Sequence, residues 1–257
     1  MMKQIILITD GCSNVGVSPV VAAAHALTEG ITVNVIGVVD RGEIGQYGMQ
    51  EINEIAEAGG GLSRVVGPST LSETVQMMTR KTVAHTVRQA VGAELRSIMG
   101  DDFKDLNELR PDKRAQVVRV IDEMEEMAEL RIVLLVDASA SMKPKLNAVK
   151  EAIQDLMKSL QSRVGPSRMA VVHFPGVNGD ETKIDLKWSS RLAKVSELFY
   201  NINMKGTTPT GPALLQTVRY FAEDSASETD TVYAGRLPGQ SALMRDSEDG
   251  ISSDNAV

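Results

Sequence analysis

Two kinds of apolar pattern alternate along this chain. Residues 5–9, Ile5-Ile6-Leu7-Ile8-Thr9, are a short continuous run of the sort a buried strand shows. Ser18-Pro19 then offers an N-cap with proline at the first helical position, opening a helix through Ala24 and Leu27 that stops at Gly30. Residues 32–39 are β-branched and apolar and predict a central strand. Met49, Ile52, Ile55 and Ala56 recur at helical spacing, Gly59-Gly60-Gly61 closes that helix, and residues 62–66 predict a last short strand. Alternation of this kind predicts a parallel sheet with crossover helices.

From 67 to 130 the pattern is helical. Thr70 and Glu73 have the spacing of a capping box. Val83, Val87, Val91, Leu95 and Ile98 follow on one helical face, and Gly100-Asp101-Asp102 breaks it. Pro111 opens another helix with Ala115, Val118, Ile121 and Met124 on one face. Glu123, Glu125, Glu126 and Glu129 lie on its opposite face, which reads as solvated.

Strand and helix signals return at 131. Residues 132–136 predict a strand, and the helix after Pro144 buries Leu146, Val149, Ile153, Leu156 and Leu160. Residues 169–174 predict another strand, and 183–188 an edge strand. Leu192, Val195, Leu198, Phe199 and Ile202 mark a helix, and 209–221 a further one. Residues 223–257 turn polar and acidic with little periodicity and read as a disordered tail. The expected organisation is therefore two α/β segments, 1–66 and 131–222, joined by a helical connector, 67–130. Together the segments make up roughly one domain of ordinary size.

Composition narrows the function. The chain has 257 residues, 42% of them hydrophobic and few aromatic, so an aliphatic core is expected. A formal charge of −7 argues against nucleic acid as a partner, since phosphate binding needs a basic surface. Its single cysteine, Cys12, excludes an intrachain disulfide and suits a reducing compartment. The first apolar run is too short for a signal peptide, and none approaches the roughly 20 residues of a membrane helix. A cytoplasmic protein that does not engage membranes is expected.

The chemistry sits at the ends of strands. The run 132–136 ends in Asp137-Ala138-Ser139-Ala140-Ser141-Met142, and the run 5–8 ends in Thr9-Asp10-Gly11. A third segment, Gly206-Thr207-Thr208-Pro209-Thr210-Gly211-Pro212, opens a helix. Each motif alone is weak, because Asp, Ser and Gly are common turn residues. Their joint occurrence in these contexts is more specific. Together they resemble the three loops of the metal-ion-dependent adhesion site of von Willebrand factor A (VWA) domains. In that family the D-x-S-x-S loop comes first and T-D-G last, whereas here T-D-G leads. The chain thus resembles a circularly permuted VWA domain. The likeness extends over nearly the whole chain to small VWA proteins of spore-forming bacteria that occur among sporulation genes.

That resemblance implies a doubly wound, mostly parallel α/β sheet with a helical insertion, and adjacent strands ending at Asp10 and Asp137. It implies a divalent cation held by Ser139, Ser141 and Thr208, with Asp137 and Asp10 direct or through water. Thr207 and Thr210 are rivals to Thr208, which aligns best with the family's threonine loop. All these donors are hard oxygens, which favours Mg²⁺ or Mn²⁺ over Zn²⁺. The family fills the open metal position with an acidic side chain of a partner protein, so a protein-binding module or adaptor is expected. Whether the halves close within one chain or exchange between two copies as a homodimer stays open.

The alternative is a metal-dependent hydrolase or phosphotransferase that uses Asp137. Phosphatases of doubly wound folds prefer D-x-D-x-T, and position 139 here is Ser. No general acid or base stands out, and His25 and His173 read as surface or structural residues. Neither G-x-x-x-x-G-K-[ST] nor G-x-G-x-x-G follows a strand. A non-enzymatic role is the expectation.

Overall fold

The structure, a computed structural model, describes residues 1–40, 45–100, 106–177, 179–191, 198–199 and 207–234, the last ten of these by backbone alone. Aliphatic runs form the strands β1 (Met2–Thr9), β2 (Ile31–Val38), β3 (Gly60–Val66), β4 (Leu130–Asp137), β5 (Ser167–Phe174) and β6 (Lys183–Ser189). They make one sheet in the order β3-β2-β1-β4-β5-β6. All pairings are parallel except β5 with β6, which is antiparallel. The edge position expected for residues 183–188 is thus observed.

The α-helices among the described residues are α1 (Pro19–Thr28), α2 (Gln46–Ala58), α3 (Leu71–Met99), α4 (Pro111–Met127), α5 (Leu146–Gln161) and α6 (Thr210–Ala234), with short 3₁₀ turns at Pro68–Thr70, Leu106–Glu108 and Ala140–Lys145. On one face of the sheet, Ile6, Ile8, Ile132, Leu134 and Val136 pack with Leu71, Val75 and Met78 of α3 and Val149, Ile153 and Leu156 of α5. Strand alternation sends Ile5, Leu7, Val33 and Val35 the other way. There α1 and α2 contact β2, burying Ala22, Ala26, Ile52 and Ile55. Every residue of β4 is buried, as a central strand covered on both faces requires.

Residues 1–220 form one compact unit. Both α/β segments contribute to its sheet, which closes within a single chain through the β1–β4 pairing. A second unit begins at Phe221, and its described part is the continuation of α6 to Ala234. That helix runs past the end at 221 that the apolar pattern predicts. Fading periodicity signals the loss of a buried face, and a helix can outlast it. Residues 235–257 of the predicted tail, and most of the helix predicted over 192–202, lie outside the described residues. Leu198 and Phe199 of that stretch are buried in the core.

Three local expectations change. Thr70 does precede α3, but its hydroxyl donates to the Gly67 carbonyl at 3.2 Å instead of capping the helix. In α4 only Ile121 is buried, while Val118 and Met124 of the predicted apolar face are each 44% exposed. The helix packs chiefly on α3, and that narrow contact leaves most of its apolar stripe uncovered. Its acidic face is partly engaged, for Glu125 lies 3.7 Å from Arg88 and Glu126 accepts the Val164 amide at 3.1 Å.

Candidate functional site

The order of strands reverses between β1 and β4. From β1 the chain winds outward to β2 and β3, and from β4 outward to β5 and β6. Loops leaving the carboxyl ends of such a pair diverge and open a crevice, the usual ligand position in doubly wound sheets. Parallel register runs from Met2 beside Leu130 to Ile8 beside Val136. It therefore delivers Asp10 and Asp137 to the same end of the sheet.

Asp137 is the deepest member and is fully buried. Its Oδ1 accepts the Ser139 amide at 2.8 Å, and its Oδ2 accepts the Thr9 hydroxyl at 2.8 Å. The alternating loop works by direction. Ala138 turns inward, its amide donating to the Phe174 carbonyl at 2.7 Å, while the Ser139 and Ser141 hydroxyls meet at 3.1 Å. Ser141 then donates to Asp10 Oδ1 at 2.9 Å, and the Lys145 ammonium donates to Asp10 Oδ2. A chain of polar contacts thus links Asp137, Ser139, Ser141, Asp10 and Lys145. Ser141, its middle member, is exposed.

Thr208 makes no hydrogen bond to this cluster among the described residues; its main chain is tied instead to the loop that follows T-D-G. Its amide donates to Asn14 Oδ1 at 2.8 Å, and its carbonyl accepts the Asn14 amide at 3.2 Å and the Ser13 hydroxyl at 3.3 Å. The loop that follows T-D-G is held from the other side by Glu51 of α2, which accepts the Ser13 amide at 2.8 Å. Glycine permits the close approach. A Cβ at Gly211 would lie 1.9 Å from the Val17 carbonyl oxygen, and Gly16, at φ +90°, faces the Pro212 ring. Thr210 is buried where α6 begins, and Thr207 is exposed. Gly206 lies outside the described residues.

Burial dominates the electrostatics of the deepest carboxylate. Burial pushes the Asp137 carboxyl up from its ordinary range. The Ser139 amide, the Thr9 hydroxyl and the Ser139 hydroxyl pull it down, and the Asp10 charge adds to the rise. Two carboxylates and two hydroxyls lie along the chain of contacts, with Thr208 tied to the adjoining loop. That donor set is all oxygen and suits a hard divalent ion. It is hydroxyl-rich: among the described residues no three His, Cys, Asp or Glu side chains converge on one point.

Lys145, Thr9, Ser13 and Asn14 are partners that motif reading leaves unassigned. A signal for Lys145 exists, because a cation at the start of a helix is opposed by the helix dipole and needs a local reason. His173 of β5 is buried, its Nδ1 lies 2.5 Å from Asp185 Oδ2, and its ring meets Phe199 edge-on.

The model of the von Willebrand factor type A domain matches residues 132–233. That stretch begins at the strand bearing D-x-S-x-S and excludes the one bearing T-D-G. Protein YabS of Bacillus subtilis (strain 168) is 46% identical over 220 residues, which are 86% of this chain and 89% of that protein. A crystal structure of an uncharacterized protein from Alicyclobacillus acidocaldarius matches with a TM-score of 0.82 and 41% identity, covering 88% of this chain and 96% of that one. Among the described residues no helix is long and apolar enough to cross a membrane. With the doubly wound sheet, the matched stretch and relatives that cover most of the chain, the chain belongs to the von Willebrand factor type A domain family.

Proposed function

We propose that this chain is a metal-ion-dependent protein-binding module that captures an acidic side chain of a partner through a bound Mg²⁺ or Mn²⁺. Ser139, Ser141 and Thr208 would hold the ion, with Asp137 and Asp10 bound directly or through water. The observation that carries the reading is the contact chain from Asp137 through both serines to Asp10, at the point where strand order reverses. Neutral hydroxyls among the donors leave a divalent ion electron-poor, so a carboxylate from outside is a favourable last ligand. We read the order of the motifs as a circular permutation of the family's domain, with residues 1–66 supplying its back half and 131–222 its front half. The pairing of β1 with β4 supports that reading. Domains of this family are generally interaction modules without catalysis.

Calorimetric titration of Mn²⁺ and Mg²⁺ into metal-stripped protein tests the site. Wild type should bind, and Asp137→Ala should lose binding while keeping its circular dichroism spectrum. An Asp-containing peptide library should then be retained only with metal, and its Asn counterpart not at all. Unchanged Mn²⁺ affinity in Asp137→Ala would falsify the assignment.

A further inference from the structure

Lys145 ends the 3₁₀ turn Ala140–Lys145 and caps the start of α5. The dipole of that 16-residue helix disfavours a cation at this end. The side chain is nevertheless drawn inside, only 10% exposed, and paired with the Asp10 carboxylate, itself 4% exposed. The two oxygens of Asp10 are thus divided, one accepting from Ser141 and the other from the ammonium. Asp137 is treated differently, its oxygens being met by the neutral Ser139 amide and Thr9 hydroxyl. An internal cation therefore occupies one of the two carboxylates that a divalent ion would need.

We propose that Lys145 is a built-in rival of the metal ion. It holds Asp10 in the metal-free chain and gives it up when a divalent cation enters, so that it sets the affinity of the site. The inference rests on the metal-binding reading above. Two cations cannot share one buried carboxylate without strong repulsion, because little water screens them there. Lysine can yield, since its charge sits on a flexible four-carbon stem that can swing outward. The released ammonium has a second effect. Two carboxylates and one ammonium carry one net negative charge. Once a divalent ion takes the place of the ammonium the two carboxylates are neutralised, and the displaced ammonium stays tethered beside them as an added positive charge. The loaded site then attracts a carboxylate more strongly than a lysine-free site would, tying capture of an acidic partner to prior metal entry.

Lys145→Met keeps the stem and removes the charge, and Lys145→Gln serves as a second variant should the first fold poorly. The probe is Mn²⁺ alone, followed by calorimetry in wild type, both variants and Lys145→Met combined with Asp137→Ala. Removing a close charge rival should tighten Mn²⁺ binding roughly tenfold or more, and the double variant should lose it. In the unmodified protein, an amine-directed label read by mass spectrometry should mark Lys145 faster with Mg²⁺ present than with chelator. Equal or weaker Mn²⁺ affinity in the variants, or labelling indifferent to Mg²⁺, overturns the rivalry while leaving metal binding by the wild type intact. If neither wild type nor variants bind Mn²⁺, the metal reading fails with it.

Discussion

Asp137 sits where a carboxylate is least at ease, fully buried and close enough to Asp10 to feel its charge. Its folded-state pKa is raised, so the folded chain keeps this proton to higher pH than the unfolded chain does. The stability tied to that proton is complete below the unfolded pKa and is lost as pH rises through the folded one. Asp137→Asn should therefore stabilise the metal-free fold more at neutral than at acid pH, while abolishing Mg²⁺ binding. Asparagine fits: its carbonyl can accept the Ser139 amide, and its amide can donate to Thr9 Oγ1, whose proton can turn to the Gly11 carbonyl at 3.3 Å. Thermal melts in chelator at both pH values measure this, and an equal gain at each would argue against it. Gly211 makes a steric counterpart. Its missing Cβ leaves room for the Val17 carbonyl, which is main chain and cannot rotate away. Gly211→Ala should cost about 1–3 kcal/mol in urea denaturation, and it should weaken Mn²⁺ binding by loosening Thr208 from Asn14. A variant with unaltered stability would mean the two loops are less tightly joined than the geometry requires.

At the scale of elements, the strands were legible because central parallel strands need long apolar runs, and few other structures tolerate them. The carboxylates and serines were legible for a related reason, since polar residues that end such runs fall at the carboxyl edge of the sheet. Asn34 was not, being a polar residue inside the apolar run of β2. It is fully buried, and its Oδ1 accepts the Leu62 amide at 2.9 Å and the Thr82 hydroxyl at 3.0 Å. One side chain thus ties β2 to β3 and α3, at the point where the β2–β3 register shifts. Asn34→Leu should cost about 1–3 kcal/mol, because it strands the Leu62 amide and the Thr82 hydroxyl. Chemical denaturation would show it, and a neutral result would mean water replaces the lost acceptor. Lys145 was hidden by distance: 135 residues separate it from Asp10, and only the sheet brings them together. In α4 the periodicity misled, because an apolar stripe records what could be buried and not how wide a partner is present.

For the whole molecule, the stretch matched by the family model and the stretch that folds should differ. Residues 132–233 contain almost all of β4, the strands β5 and β6, and α5 with most of α6. They lack the β1 strand that pairs with β4 from Leu130 to Val136, and they lack α3, whose Leu71, Val75 and Met78 belong to the same core as α5. Cut out alone, this half would carry the apolar run of β4 as a bare sheet edge, a ready template for association with other copies. It would also expose the α5 face that α3 covers. We therefore expect residues 131–257 expressed alone to aggregate or to melt without cooperativity. Co-expression with residues 1–130 should recover a soluble complex, because β1 and α3 restore both the missing edge and the missing face. Only that complex should bind Mn²⁺, since Asp10 and Asp137 come from different pieces. Circular dichroism melts and Mn²⁺ titrations of the fragment and the complex decide the point. A cooperative melt of 131–257 by itself would show that the front half is self-sufficient and that the two segments do not form one folding unit.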